Sequence, residues 1–328
     1  MFLGVRASSF LLIFKAPYTP FPQLIRSNWV TDPSTGATSA SILSPTNIPS
    51  DPPLAAHGVD QAHELAEYIA TVDPTPTRIY CSPFYRCLQT VDPVAEKLGI
   101  QELRAENGIG EWYGRARFEH PSPASPELLH AFFPRVLTTY NPVIIPSTKG
   151  ESVKEIHDRA AYALSRIIEA IDKEHLSNPN FPTAPKAILL CAHAATNIAI
   201  GRVLVGDENA DIKTGTCSLS VYQRRSVAHV PGGKATVPPP NSDGTVPQVD
   251  WTGGRGVGGG WIQKVNGDCS FLKNGEERNW WFSGEEDWDY AVKAVEAGNV
   301  DAGLEVGGPG TVAQAGKLER EAQMEAKI

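Results

Sequence analysis

Long hydrophobic runs are missing from this chain. Its lead, MFLGVRASSFLLIFKAP, carries one short apolar stretch from Phe10 to Phe14. That is too short for a membrane span and short for a signal-peptide core, and no other stretch approaches the length a bilayer demands. A soluble protein without a membrane partner is expected. Basic charge is also scarce: 29 Lys and Arg stand against 37 Asp and Glu, a formal net charge of −8. A general nucleic-acid binder would carry a basic face, so this balance argues against direct nucleic-acid binding while leaving room for a local basic pocket. Cysteine is sparse too. The five residues Cys81, Cys87, Cys191, Cys217 and Cys269 are odd in number and never spaced C-x-x-C. Three of them lie in or beside apolar runs, which predicts buried free thiols in a reducing compartment, cytoplasmic or nuclear. No metal or cofactor is expected.

What is present suffices for a folded domain. The 328 residues are 41% hydrophobic and 20% charged, room for one domain of roughly 200 residues with an appendage. From about residue 54 helix and strand signals alternate. GVDQAHELAEYIA sets Ala62, Leu65, Ala66 and Ile69 at helical spacing, and TRIYC reads as a short buried strand. PFYRCLQTVDPVAEKLG starts a helix, is expected to break or restart at Pro93, and ends at Gly99. GESVKEIHDRAAYALSRIIEAIDKEH is the strongest helix, with Ile156, Ala160, Ala163, Leu164, Ile167 and Ile171 on one stripe. KAILLCAH is a continuous apolar strand, ATNIAIGRVLVG a helix after it, and TCSLSVYQR a closing strand.

Such alternation predicts an α/β fold, a three-layer sandwich around a mostly parallel sheet. Ligands of these sheets bind beyond the carboxyl ends of the strands. CSPFYR and CAH both begin at such ends, which would bring Arg86 and His193 to one rim. After about residue 228 the composition shifts. Residues 228–264 read as a Pro/Gly-rich linker, and 265–328 as a Trp-bearing acidic and then polar, largely disordered tail.

Few residues here stand out chemically. His193 follows ILLC among small alanines, placed to bond an anion or exchange a proton near neutral pH. Glu111 sits beside Trp112 in GIGEWYG, where an aromatic neighbour could raise its pKa and make it a general acid. Ser152, with Glu155 three residues on, is either a capping box or part of an anion-binding helix start.

SPFYRCLQT, GIGEWYG, GES and CAHAAT together resemble, in order and spacing, the motifs of the histidine phosphatase superfamily, the phosphoglycerate-mutase-like proteins. The similarity covers residues 26 to about 225 and looks nearest to fungal phosphoglycerate-mutase-like proteins, a group that includes a transcription-factor subunit. It implies that Arg86 and Arg26 bind phosphoryl oxygens, with His193 beside them, and that Glu111 protonates the leaving alkoxide. The expected ligand is a small phosphorylated substrate or inorganic phosphate. The same resemblance requires a nucleophilic histidine in an R-H-G motif just before Arg26, where this chain reads FPQLI; its first histidine is His57. No nucleophile can therefore be assigned. Residues 1–24 are expected to be either a gene-model artefact, the favoured reading, or the altered first strand of a degenerate member. The expected function is a phosphomonoester hydrolase impaired by that loss. The alternative is a non-catalytic interaction subunit that docks a protein partner through its Trp-rich tail.

Overall fold

The computed structural model describes residues 10–15, 29–32, 35–40, 43–177, 187–225, 239 and 246–282. Its strands are β1 (Phe10–Lys15), β2 (Trp29–Thr31), β3 (Thr38–Ala40), β4 (Arg78–Cys81), β5 (Leu103–Ala105), β6 (Ala187–Ala192), β7 (Leu219–Arg224) and β8 (Trp261–Asp268). Six of them form one sheet in the order β5-β4-β6-β1-β7-β8, and β2 and β3 pair separately. The first four of that order run parallel, while β7 is antiparallel to β1 and β8 to β7. Helices α1 (Ala56–Ile69), α2 (Tyr85–Leu98), α3 (Pro126–Phe132), α4 (Val153–Ser177) and α5 (Ala194–Val205) complete the fold.

Alternation along the strands builds two cores. Ile79, Cys81, Leu189 and Cys191 join Leu65 and Ile69 of α1 and Leu88 and Val91 of α2 on one face. Tyr80, Ile188, Leu190 and Ala192 join Ile156, Ala160 and Leu164 of α4 and Ala199 and Val203 of α5 on the other. The predicted three-layer α/β sandwich is thus the observed one. All five cysteines are free and buried, as their apolar settings implied.

Three expectations need correction. Helix α2 does not break at Pro93: it runs on to Leu98 and stops at the left-handed Gly99. Val91, Val94 and Ala95 are fully buried on either side of the proline, so tertiary packing holds both halves in line against the lost hydrogen bond. Of residues 1–24, expected to be a gene-model artefact or an altered first strand, Phe10–Lys15 form β1, which lies inside the sheet between β6 and β7. The Pro/Gly-rich stretch is not simply a linker, because Trp251, Val257 and Trp261 are buried in the core over α4 and α5, and Trp261 opens the edge strand β8. Gly256, Gly258 and Gly260 serve close approach. Gly256 has φ 64, and a Cβ there would stand 2.1 Å from the Leu204 carbonyl oxygen. Finally, the tail begins folded: Cys269 and Leu272 are buried, and Glu277 meets His57 at 3.0 Å. The expected disorder concerns residues 283–328, which lie outside the described residues, as does Trp288.

If 246–282 belongs to the cooperative core, Trp261→Ala lowers stability in urea unfolding by about 3–5 kcal/mol, the usual loss for a buried Trp or Phe. A loss under about 1 kcal/mol would mean that this segment is peripheral.

Candidate functional site

The parallel strands β4 and β6 are neighbours, with Cys81 and Cys191 as register partners. Each releases its chain at the same rim, β4 into Ser82-Pro83 and β6 into His193. Two anchors fix that exit: the Ser82 N–H donates to the Cys191 carbonyl at 2.8 Å, and the Ser82 hydroxyl bonds His193 Nε2 at 2.7 Å. Phe84 caps α2, so Arg86 falls in its first turn, and His193 caps α5. The local strand-loop-helix pattern thereby points both side chains at one place.

They meet around a carboxylate. Arg86 Nη2 donates to Glu111 Oε2 at 2.7 Å, and His193 Nδ1 lies 3.0 Å from the same oxygen. Arg86 Nη1 donates to Asp51 Oδ1 at 3.2 Å and to the Ser50 carbonyl at 3.4 Å. The Arg86 and His193 side chains are only 4% exposed and Asp51 is fully buried, whereas Glu111 keeps 23%. Phe84 walls the site, its ring edge-on to His193 at 5.4 Å and under the Arg86 guanidinium at 5.0 Å. An ion pair this dry is strong only because hydrogen bonds complete it. Asp51 is completed by the Tyr85 N–H at 2.8 Å, and Glu111 by the Trp112 N–H at 3.1 Å.

Titration follows from these contacts. Burial works to raise the Glu111 carboxyl, but His193 and Arg86 outweigh it and hold the pKa near 2. The expected elevation beside Trp112 is therefore reversed: Trp112 contributes its backbone N–H, and two cations decide. His193 is raised. Burial and Arg86 oppose its protonation, while Cys87 and Glu111 favour it. The Cys87 thiol is itself pushed far up by burial, which keeps it neutral, so Glu111 is the working partner. As imidazolium, His193 donates from Nδ1 to Glu111 and from Nε2 to Ser82. Burial also lifts the Asp51 carboxyl against the pull of Arg86.

Three of the four residues singled out in the sequence, Arg86, Glu111 and His193, are thus brought together. Arg26 lies outside the described residues. Ser152 and Glu155 form the capping box: the Ser152 N–H reaches Glu155 Oε2 at 2.7 Å, and the Glu155 N–H reaches Ser152 Oγ at 3.2 Å. Sequence reasoning missed Asp51, Ser82 and Arg159. Fully buried, Arg159 pairs with Glu151 at 2.8 Å and donates to the carbonyls of Gly108 at 3.0 Å and Gly110 at 3.3 Å, pinning the loop that carries Glu111. Its signal was available, for Arg159 stands on the apolar stripe of α4, three residues after Ile156 and four before Ala163. Among the described residues no cluster of His, Cys, Asp and Glu is arranged to hold a metal ion, and no helix is long and apolar enough to cross a membrane.

A carboxyl with a depressed pKa adds stability above its unfolded value, and that stability is lost as pH falls through the folded value. For Glu111 the window runs from the ordinary 4.5 down to about 2. Glu111→Gln should therefore flatten the acid limb of a stability-against-pH curve across that window. Parallel curves for the two proteins would refute the Arg86–Glu111–His193 coupling.

A family model described as the histidine phosphatase superfamily (branch 1) matches residues 36–228, starting downstream of both β1 and Arg26. Over 273 residues the chain is 37% identical to the transcription factor tau 55 kDa subunit of Saccharomyces cerevisiae, which spans 78% of this chain and 56% of that protein. It is 36% identical over 72 residues to the ecdysteroid-phosphate phosphatase of Drosophila melanogaster, 21% of this chain and 10% of that protein. The chain thus spans about half the length of the first of these relatives and a tenth of the second. Among solved structures, the ecdysone phosphate phosphatase from Bombix mori in complex with tungstate aligns with TM-score 0.48 and 17% identity, over 75% of this chain and 97% of that one. With the family model matching more than half of its length, the chain belongs to the histidine phosphatase superfamily, branch 1.

Proposed function

We propose that this protein is a phosphomonoester-binding member of the family, of the hydrolase type, whose turnover is held back by the missing attacking imidazole. The observation that carries the reading is the meeting of Arg86 and His193, both nearly dry, on a single carboxylate oxygen of Glu111. A planar guanidinium and an imidazolium converging on one oxygen suit a phosphoryl group as well as a carboxylate. Arg26 would add a second guanidinium by the spacing of its motif.

Glu111 and a phosphoryl group cannot hold the same donors. When phosphate takes Arg86 Nη2 and His193 Nδ1, the two influences that depress the Glu111 pKa are redirected. Burial, the largest influence on that carboxyl, then dominates, and the incoming negative charge adds to it. Glu111 takes up a proton and becomes able to deliver it to a leaving alkoxide. The switch from ion-pair partner to acid is thus built into one exchange of ligands. Fixed charge around the phosphoryl oxygens is the main catalytic device for this chemistry, but covalent turnover needs a nucleophile. The sequence holds no histidine before His57, which is engaged with Glu277. Pocket electrostatics alone leave little hydrolysis.

A second reading has an observation of its own. The 37% identity to a yeast transcription-factor subunit extends over 273 residues, which favours a role within a protein assembly and a nuclear location. The tail tryptophans fit it less well than the sequence suggested. Trp251 and Trp261 are buried, and Trp280 packs edge-on against Trp112 at 6.4 Å, while Trp281 remains 48% exposed.

Phosphate titration monitored by calorimetry separates these cases. Arg86→Ala and His193→Ala should each weaken inorganic phosphate about 10- to 100-fold, the worth of a charged hydrogen bond. Glu111→Gln should tighten it, and unchanged affinity in all three variants would remove the phosphate reading. For turnover, p-nitrophenyl phosphate should be left nearly intact by the natural chain. Hydrolysis should appear when Pro22→Arg, Gln23→His and Leu24→Gly, or Lys15→Arg, Ala16→His and Pro17→Gly, restore the motif before Arg26 or at the end of β1. Retained phosphate binding without hydrolysis in either variant would favour the assembly subunit.

A further inference from the structure

Next to Glu111 a cavity of about 340 Å³ opens between the loop after β4, the segment around α3 and the stretch before α4. Its volume is within the range of small-molecule pockets. Phe84 and Glu111 line it, so it is continuous with the Arg86–His193 site rather than a separate hollow. Six prolines contribute to its wall, among them Pro83, Pro121 and Pro142. Proline has little conformational freedom to lose, so such a wall is held in shape before anything binds.

Much of the wall is also apolar. Tyr113 and His120 stack at 4.7 Å with planes 10° apart, forming a flat side, and Leu129 and Ala105 add to the apolar lining. Among the described residues that line the cavity, none is lysine or arginine. Its acids besides Glu111 are accounted for by Glu151, which is held by Arg159. His120 Nε2 donates to the Gly114 carbonyl at 2.7 Å, and burial lowers its pKa, so it presents a neutral ring. Ile145, 71% exposed, stands among the lining residues as an apolar side chain open to solvent.

We propose that this cavity receives the alcohol portion of the phosphoester, and that it selects an uncharged, apolar or aromatic group. The inference rests on the phosphoester reading of the Arg86–His193–Glu111 site. A substrate with a carboxylate or second phosphate in its alcohol portion would meet no lysine or arginine among the described lining residues and would leave its own charge desolvated. A flat hydrocarbon ring would instead gain contact with Tyr113, His120 and the proline wall, while its phosphate reached Arg86 and His193.

Calorimetric titration of the full chain with inorganic phosphate, 1-naphthyl phosphate, glycerol 3-phosphate, 3-phosphoglycerate and 1-naphthol tests this. 1-Naphthyl phosphate should bind at least about 10-fold more tightly than inorganic phosphate, as burial of one ring face allows. The two polar esters should bind no better than phosphate. Ile145→Asp, at an exposed position, should shrink the ratio of naphthyl phosphate to phosphate affinity, and Ser122→Arg, also exposed, should selectively strengthen 3-phosphoglycerate. Equal affinities for the naphthyl and glycerol esters would overturn the apolar selection while leaving phosphate binding standing. Binding of 1-naphthol without binding of any phosphate would instead overturn the phosphoester reading, and the inference with it.

Discussion

The site depends on how one buried guanidinium is neutralised. Arg86 enters a dry rim at the first turn of α2, where an uncompensated charge would be intolerable. Asp51 meets one side of it and Glu111 the other, at 3.2 and 2.7 Å. Asp51 is fully buried and is tied to the Tyr85 N–H, which makes it the permanent counter-ion. Glu111 is the more exposed partner and shares its oxygen with His193, which in the proposed reading makes it the exchangeable one. The two carboxylates look alike in the sequence, and environment alone separates their parts.

That division shapes the scaffold around it. Arg159 and Glu151 spend a second buried ion pair on holding the backbone of residues 108–110, and Thr196 of α5 adds a bond to the Gly110 carbonyl at 2.8 Å. The loop bearing Glu111 is therefore anchored from α4 and α5, while Arg86 and His193 ride on helix starts set by β4 and β6. Movement of the Glu111 side chain can then occur against a fixed backbone. Three thiols, Cys81, Cys87 and Cys191, fill the space behind these groups and stay neutral because burial raises each of them.

Legibility in the sequence followed the range of the interactions. Arg86 and His193 were readable because each sits within a few residues of its strand end, and a strand-loop-helix step carries its own pattern. The stripe on α4 was readable for the same reason. Asp51 was not, since its importance comes from a residue 35 positions away. Pro93 misled because local chemistry says break, whereas Val91, Val94 and Ala95 are packed too well for the helix to part there. The glycines from 253 to 260 misled in the opposite direction. Composition reads them as slack, but they supply left-handed turns that let Trp251 and Trp261 reach the core. The pKa of Glu111 was misjudged because its aromatic neighbour is adjacent in sequence, whereas the cations that govern it come from α2 and the end of β6.

The place of β1 in the sheet has a kinetic consequence. Its neighbours are β6 and β7, whose pairing begins at Ala187 and Leu219, so β1 bonds with strands made long after it. β4 and β5 can pair soon after they are made, and so can α1 and α2 over them. β1 must wait, unpaired, until β6 and β7 have been made, and loop closure over that span is slow. Until then the unpaired edges of the apolar run Phe10–Phe14 are open to other chains.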